Sequence, residues 1–330
     1  VLVDANGGEP INLISGADLW HPALWVDKGK KVWMDSFDED SLGVYLVDDG
    51  PERSKILRYR MELYWRYRDS VNVVVLGSSR SSNGVDSAYF SNKFRTLNMS
   101  FFPSSLYDVK LLYDRYIDGA VPRLKYLVVS LDLDIFRMPE SAFFHEEYKI
   151  FPGYVYDEHH GSWRNLETEP IYKATSLGRG FPMFSIFLTN RSTEFFTSTG
   201  WGDHPEVAGD STLASESSVF YFQQISILKD LAAEGYEKGF YVVGVIFPMS
   251  PGYAQTGSFG RQGVRRSFVP TIMDSLDAWR TLYPNLYIFD ENKMGNHDYT
   301  SDMAQDFDHL NKKGAAKLTT RLNEFLLTLG

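Results

Sequence analysis

Two short stretches carry residues whose types and spacing can do chemistry. The first, VVVLGSSRSSNGVD at 73–86, runs from an apolar strand-like segment into Gly77, Ser78, Ser79 and Arg80. A serine at the mouth of a sheet, beside a helix start with free backbone N–H groups and a positive dipole end, can be held as a nucleophile. Glycine and serine are also common turn formers and serine is a good helix cap, so this stretch alone fits a plain turn equally well. The second stretch, SDMAQDFDHLNKKGAAKLTTRLNEFL, begins at Ser301. A serine nucleophile needs a general base, and the base needs a carboxylate to fix its tautomer and stabilise the imidazolium. Asp306 and His309, three residues apart before an amphipathic terminal helix, supply both on one turn, and the intervening Asp308 is expected to point elsewhere. The other histidines are His21 near the amino terminus and His145, His159, His160, His204 and His297 in loops or an insertion.

Apolar runs and helical spacings alternate from Val71 onward and define the elements that must position these residues. Strands are predicted at 71–76, 96–101, 124–133, 240–249 and 286–290, with helices near 86–95, 105–118, 217–235, 267–283 and 312–328. This βαβ rhythm implies a mainly parallel, doubly wound five-stranded sheet, a flavodoxin-like three-layer α/β sandwich. In such a sheet the loops after the strands share the carboxyl edge, where open α/β folds bind ligands. Residues 135–215, rich in Phe, Tyr, His, Gly and Ser, lack the rhythm and read as an insertion at that edge. Residues 1–66 read as an amino-terminal extension that packs on the main domain at 67–330, with an amphipathic helix over 51–70 running across the boundary.

Gly77-Ser78-Ser79 after the first strand of the sheet, with Asp306-x-x-His309 before the last helix, resembles the SGNH (GDSL-type) hydrolase superfamily. The resemblance covers 71–134 and 217–330 and implies the SGNH hydrolase fold, Ser79 as nucleophile with Ser78 at the motif's aspartate position, and a Ser79–His309–Asp306 triad. It also implies three oxyanion donors: the N–H of Ser79, a backbone N–H at Ser100, and a third group at the position of Asp132, where the family has asparagine. An ionised carboxylate cannot donate to an oxyanion, so Asp132 departs from the pattern. Ser78 and Arg80 around the nucleophile are similar to the branch that acylates alginate and teichoic acid. The literal Gly209-Asp210-Ser211 has no strand before it and lacks the strand–turn–helix context that the chemistry needs.

Composition narrows the partners. The chain has 330 residues, 33 Lys+Arg against 43 Asp+Glu, a net charge of −10 and no basic run, which argues against phosphate-driven nucleic-acid binding. Cysteine is absent, which removes disulfides, thiolate metal sites and a cysteine nucleophile. No metal-ligand spacing stands out: His159-His160 diverge, and Asp132 with Asp134 reads as a polar strand end. Neither a metal nor a cofactor is expected. No apolar run reaches the ~18 residues that span a bilayer. A start at Val1 reads as a trimmed or mature form, and ISGADLWHPALWVD resembles lipoprotein members of the superfamily, implying export to the cell surface or beyond with a lipid anchor upstream. Aromatic residues make up 15% of the chain, enough to expect some on a sugar-binding surface. The expected function is a serine esterase that removes acetyl groups from a carbohydrate. The alternatives are an O-acyltransferase and a non-catalytic glycan-binding protein on the same fold.

Overall fold

The computed structural model describes residues 25–27, 30–32, 60, 64, 67–100, 104–133, 222–261 and 264–330. The predicted helix over 51–70 lies almost wholly outside these residues, as do the insertion 135–215 and Ser211. The chain divides into two compact units, Val1–Arg66 with Glu146–Thr193 and Tyr67–His145 with Glu194–Gly330. In the first, β1 (Trp25–Asp27) and β2 (Lys30–Val32) form an antiparallel pair.

The second unit is an α/β fold around a five-stranded, wholly parallel sheet. Its strands are β3 (Val73–Leu76), β4 (Thr96–Asn98), β5 (Tyr126–Ser130), β6 (Tyr241–Ile246) and β7 (Leu286–Asp290). They lie in the order β4-β3-β5-β6-β7 with every pair parallel. The chain adds β4 on one side of β3 and β5 to β7 on the other, so the topological switch falls at β3, where the crevice beyond the strand ends is expected.

The helices are α1 (Ser79–Gly84), α2 (Leu106–Leu112), α3 (Phe222–Lys238), α4 (Val269–Leu282) and α5 (Lys312–Thr328). Successive strand residues face opposite sides, so a sheet covered on both faces reads as an unbroken apolar run. Val73, Val75, Tyr126, Val128, Val243 and Val245 face Leu318, Leu322 and Leu326 of α5. The alternate residues Val74, Leu76, Leu127, Val129 and Val242 are equally buried, and α3 runs against β6 with α2 against α3. No helix among the described residues is long and apolar enough to cross a membrane.

The predicted helix over 86–95 is replaced by a single 3-10 turn, Ser87–Tyr89. Phe90 and Phe94 have helical spacing, but they meet edge to face at 5.9 Å across a turn in which Phe94 N–H donates to Ser91 O, and the segment is tied to α5 by Ser91 N–H donating to Asn323 Oδ1. The helix predicted over 105–118 ends as α2 at Leu112 and continues as one π-turn, Tyr113–Ile117, that buries Tyr113, Tyr116 and Ile117.

Candidate active site

The turn after β3 explains its own sequence. Gly77 has φ +151°, and a Cβ there would lie 2.2 Å from Ser130 Cβ and 2.7 Å from Ser81 Oγ, so only glycine lets β3 turn this closely past β5. Ser78 follows in extended conformation as the cap of α1, its Oγ accepting the Arg80 N–H at 3.1 Å. Ser79 is therefore the first helical residue, and its N–H has no partner inside the helix. From Val73 to Asp86 every residue is buried except Ser79. Sheet, cap and helix together present one side chain to solvent, and it is the serine whose neighbours cannot reach water.

The opposite half of the site is the loop between β7 and α5. Asp306 Oδ1 accepts the backbone N–H groups of Asp308 and His309, both at 2.9 Å, and Gln305 N–H donates to His309 O at 2.9 Å. These bonds wind 305–309 into a closed turn. Ser250 N–H, past the end of β6, donates to Phe307 O at 3.1 Å, and the Arg261 guanidinium lies 4.5 Å over the Phe307 ring. Asn311 then caps α5, its Oδ1 accepting from Lys313 and Gly314.

This turn brings His309 Nε2 to 2.7 Å from Ser79 Oγ. On the far side of the ring, His309 Nδ1 lies 2.9 Å from both oxygens of Asp306. The three residues picked from sequence thus meet across 230 positions of chain in the order serine, histidine, aspartate.

Asp308 does not point elsewhere, as expected from its position beside His309. Its Oδ1 lies 3.0 Å from the same His309 Nδ1, and its other oxygen faces Arg80 Nη2 at 3.2 Å. Arg80 reaches Asp132 Oδ1 with Nη1, also at 3.2 Å, and Asp132 Oδ2 accepts from Ser130 Oγ at 2.8 Å. Arg80, Asp132 and Asp308 are all buried. The reason adjacent residues converge is the turn itself: with both N–H groups on Asp306, residues 308 and 309 are folded toward one point rather than alternating.

One expected oxyanion donor, Ser100, is corrected by its bonding, and Asp132, already a departure from the pattern, is held by other groups. Ser100 N–H donates to Asn98 Oδ1 at 3.0 Å, while Asn98 Nδ2 donates to Ser81 O and Val85 O, so this N–H is spent on joining β4 to α1. Asp132 accepts from Ser130 Oγ and pairs with the buried Arg80 guanidinium. The Ser79 N–H remains. Sequence reasoning missed Asn98, which is buried and links the two elements; the short strand Thr96-Leu97-Asn98 carries no pattern that singles it out.

Burial alone would lower the His309 pKa, but hydrogen bonds to Asp306 and Asp308 and their charge outweigh it and push the imidazole up to about 9. Burial alone would raise Asp308, yet its bond to His309 and the Arg80 charge hold it well below the usual carboxylate range. Asp306, Asp308 and His309 also place ligand-type atoms within 4.8 Å of one another, but the hydrogen bonds above engage both ring nitrogens, and we assign no ion to them.

Beneath the turn is a cavity of about 10 Å³, close to the room one water needs, lined by Ser78, Ser104, Ser105, Ser130 and Asp132 among others. The aromatic residues expected on a sugar-binding surface are, among the described residues, mostly packed. Tyr113, Tyr116, Tyr126 and Tyr253 are fully buried, and Tyr126 stacks on Tyr241 at 5.4 Å. No protein-family model matches the chain, and no curated protein is detectably similar to it.

Proposed function

We propose that this protein is a serine ester hydrolase of SGNH type that removes acyl, most simply acetyl, groups from a carbohydrate outside the cell. The observation that carries the hydrolase is the 2.7 Å contact of Ser79 Oγ with His309 Nε2, with carboxylates on the other ring nitrogen. A solvent-accessible, half-buried serine, a base within hydrogen-bond reach and a group orienting the base are the parts acyl transfer needs. Neutral His309 takes the Ser79 proton as Oγ attacks the ester carbonyl. The imidazolium then gives that proton to the departing alkoxide, and water repeats the sequence on the acyl-enzyme. The Ser79 N–H at the start of α1 is the donor for the oxyanion. The carbohydrate, the acetyl group and the exported location rest on the family resemblance alone. Transfer to a sugar hydroxyl in place of water would use the same acyl-enzyme.

With His309 held up near 9, most of the resting protein carries imidazolium at neutral pH. Hydrolysis is therefore expected to rise with pH toward that value. The test is turnover of p-nitrophenyl acetate across this range by the wild type and by Ser79→Ala. A loss of about 10⁴-fold or more in Ser79→Ala is expected from removal of a triad nucleophile. Undiminished turnover in Ser79→Ala overturns the assignment.

A further inference from the structure

Resting on the triad reading above, we propose that His309 is oriented by two carboxylates rather than one, with Arg80 as the positioning residue that holds the second, Asp308, against the imidazole. The geometry is a continuous chain. Ser130 Oγ donates to Asp132, Asp132 pairs with Arg80, Arg80 pairs with Asp308, and Asp308 meets His309 Nδ1 at 3.0 Å. Arg80 is also the residue after the nucleophile, so the chain leaves the site at position 80 and returns to it at 309. A rigid planar fork suits this role because its two terminal nitrogens can serve two carboxylates at fixed separation.

The two carboxylates differ in setting. Asp306 is 36% exposed at its side chain and is bound to backbone N–H groups as well as to the ring. Asp308 is 7% exposed at its side chain and is balanced by Arg80. Nδ1 carries one hydrogen, which Asp306 accepts at 2.9 Å, while Asp308 Oδ1 lies 3.0 Å from the same nitrogen as an ion-pair contact. The charged groups around the ring are Asp306 and Asp308 from its own loop, Arg80 from α1, and Asp132 behind Arg80. The sum is three carboxylates against one guanidinium, an arrangement that favours imidazolium.

Redundancy is the consequence. A sole orienting carboxylate costs about 10⁴-fold in turnover when changed to its amide, because the base takes the wrong tautomer. Here Asp306→Asn leaves Asp308 in place to hold the correct tautomer, so a much smaller loss is expected, and only Asp306→Asn with Asp308→Asn together should approach the full one.

The deciding experiment reads the histidine directly and does not need turnover. The His309 ring is titrated by NMR in the wild type, Asp306→Asn, Asp308→Asn and Arg80→Lys. Each Asn variant should lower the His309 pKa by about one unit or more, the usual scale for a charge within 4–6 Å. Arg80→Lys, which keeps the charge but loses the fork, should lower it in the same direction by loosening Asp308. In the wild type, the side-chain carboxyl carbons of both Asp306 and Asp308 should report the His309 titration, a reading that stands even if a variant does not fold. An unmoved His309 in Asp308→Asn, or a response at Asp306 alone in the wild type, overturns the proposal. These titrations stand whether or not the protein hydrolyses an ester, so a failure of the esterase reading is seen separately, as absent turnover.

Discussion

The two ends of the same five strands are built from different chemistry. At the amino ends Tyr126, Tyr241 and Tyr287 sit on neighbouring strands, with ring centroids 5.4 Å apart for the first two and 6.0 Å for the second two. Phe325 of α5 closes on Tyr287 and Phe289. At the carboxyl ends the strands run into Gly77-Ser78-Ser79-Arg80, Asn98, Ser130-Asp132, Ser250 and Asp290-Glu291. One end is a half-buried aromatic ladder whose energy comes from area and ring geometry. The other is a chain of charges that holds only while every member keeps its partner. Neighbours at the first end can be swapped for similar volume, whereas at the second a single lost partner leaves a buried charge exposed to no cation.

The sharpest way to break this contrast is Arg80→Met. It preserves much of the side-chain volume but leaves Asp132 and Asp308 without their cation, and removing one partner of a buried ion pair costs about 3–5 kcal/mol. Denaturant unfolding should show a loss of that size, and ester hydrolysis should fall with it; stability within about 1 kcal/mol of wild type would show that the chain of charges holds nothing together.

The pH dependence of stability separates the two ends next. The folded-state pKa of His309, about 9, lies above its unfolded value near 6.5. Its contribution is therefore fully present below pH 6.5 and is lost as pH rises through 9. Asp308, depressed in the folded state, contributes above its unfolded pKa near 3.9 and loses that contribution as pH falls. Melting temperature should decline between pH 6.5 and 9 in the wild type and decline less in His309→Gln. An identical slope in both proteins would remove His309 as the source.

At the aromatic end Tyr126→Leu should cost about 1–2 kcal/mol, from a lost stacked pair and some area, and should leave the His309 titration where it was. Movement of the His309 pKa in this variant would mean that the two ends are not independent. The smallest effect is expected for Asp132→Asn. The amide still accepts from Ser130, and Arg80 keeps Asp308, so turnover should change by less than about tenfold. Restoring a missing oxyanion donor would instead raise it by about 10²–10³.

The sheet was legible because strands buried on both faces leave unbroken apolar runs. LYIFD at 286–290 and the last helix at 312–328 fall where the pattern puts them. The stretch 86–95 misled because Phe90 and Phe94 have helical spacing but owe it to an edge-to-face contact. Ser79, Asp306 and His309 could be chosen because acyl transfer uses those residue types, while their order along the chain came from the resemblance to SGNH hydrolases. Asp308 was set aside by a rule that holds for regular elements: neighbours diverge. In a turn closed on Asp306 Oδ1 the rule does not apply. The pairing of Arg80 with two aspartates 52 and 228 positions away is a product of the fold, and no local pattern carries it.

The most direct measurement of the central claim is covalent labelling of the native protein with a fluorophosphonate, followed by peptide mass mapping. A serine activated by His309 should take one label per chain, at Ser79, faster at pH 9 than at pH 7, and His309→Ala should lose the reaction. No label at Ser79, or equal labelling in His309→Ala, would contradict the account.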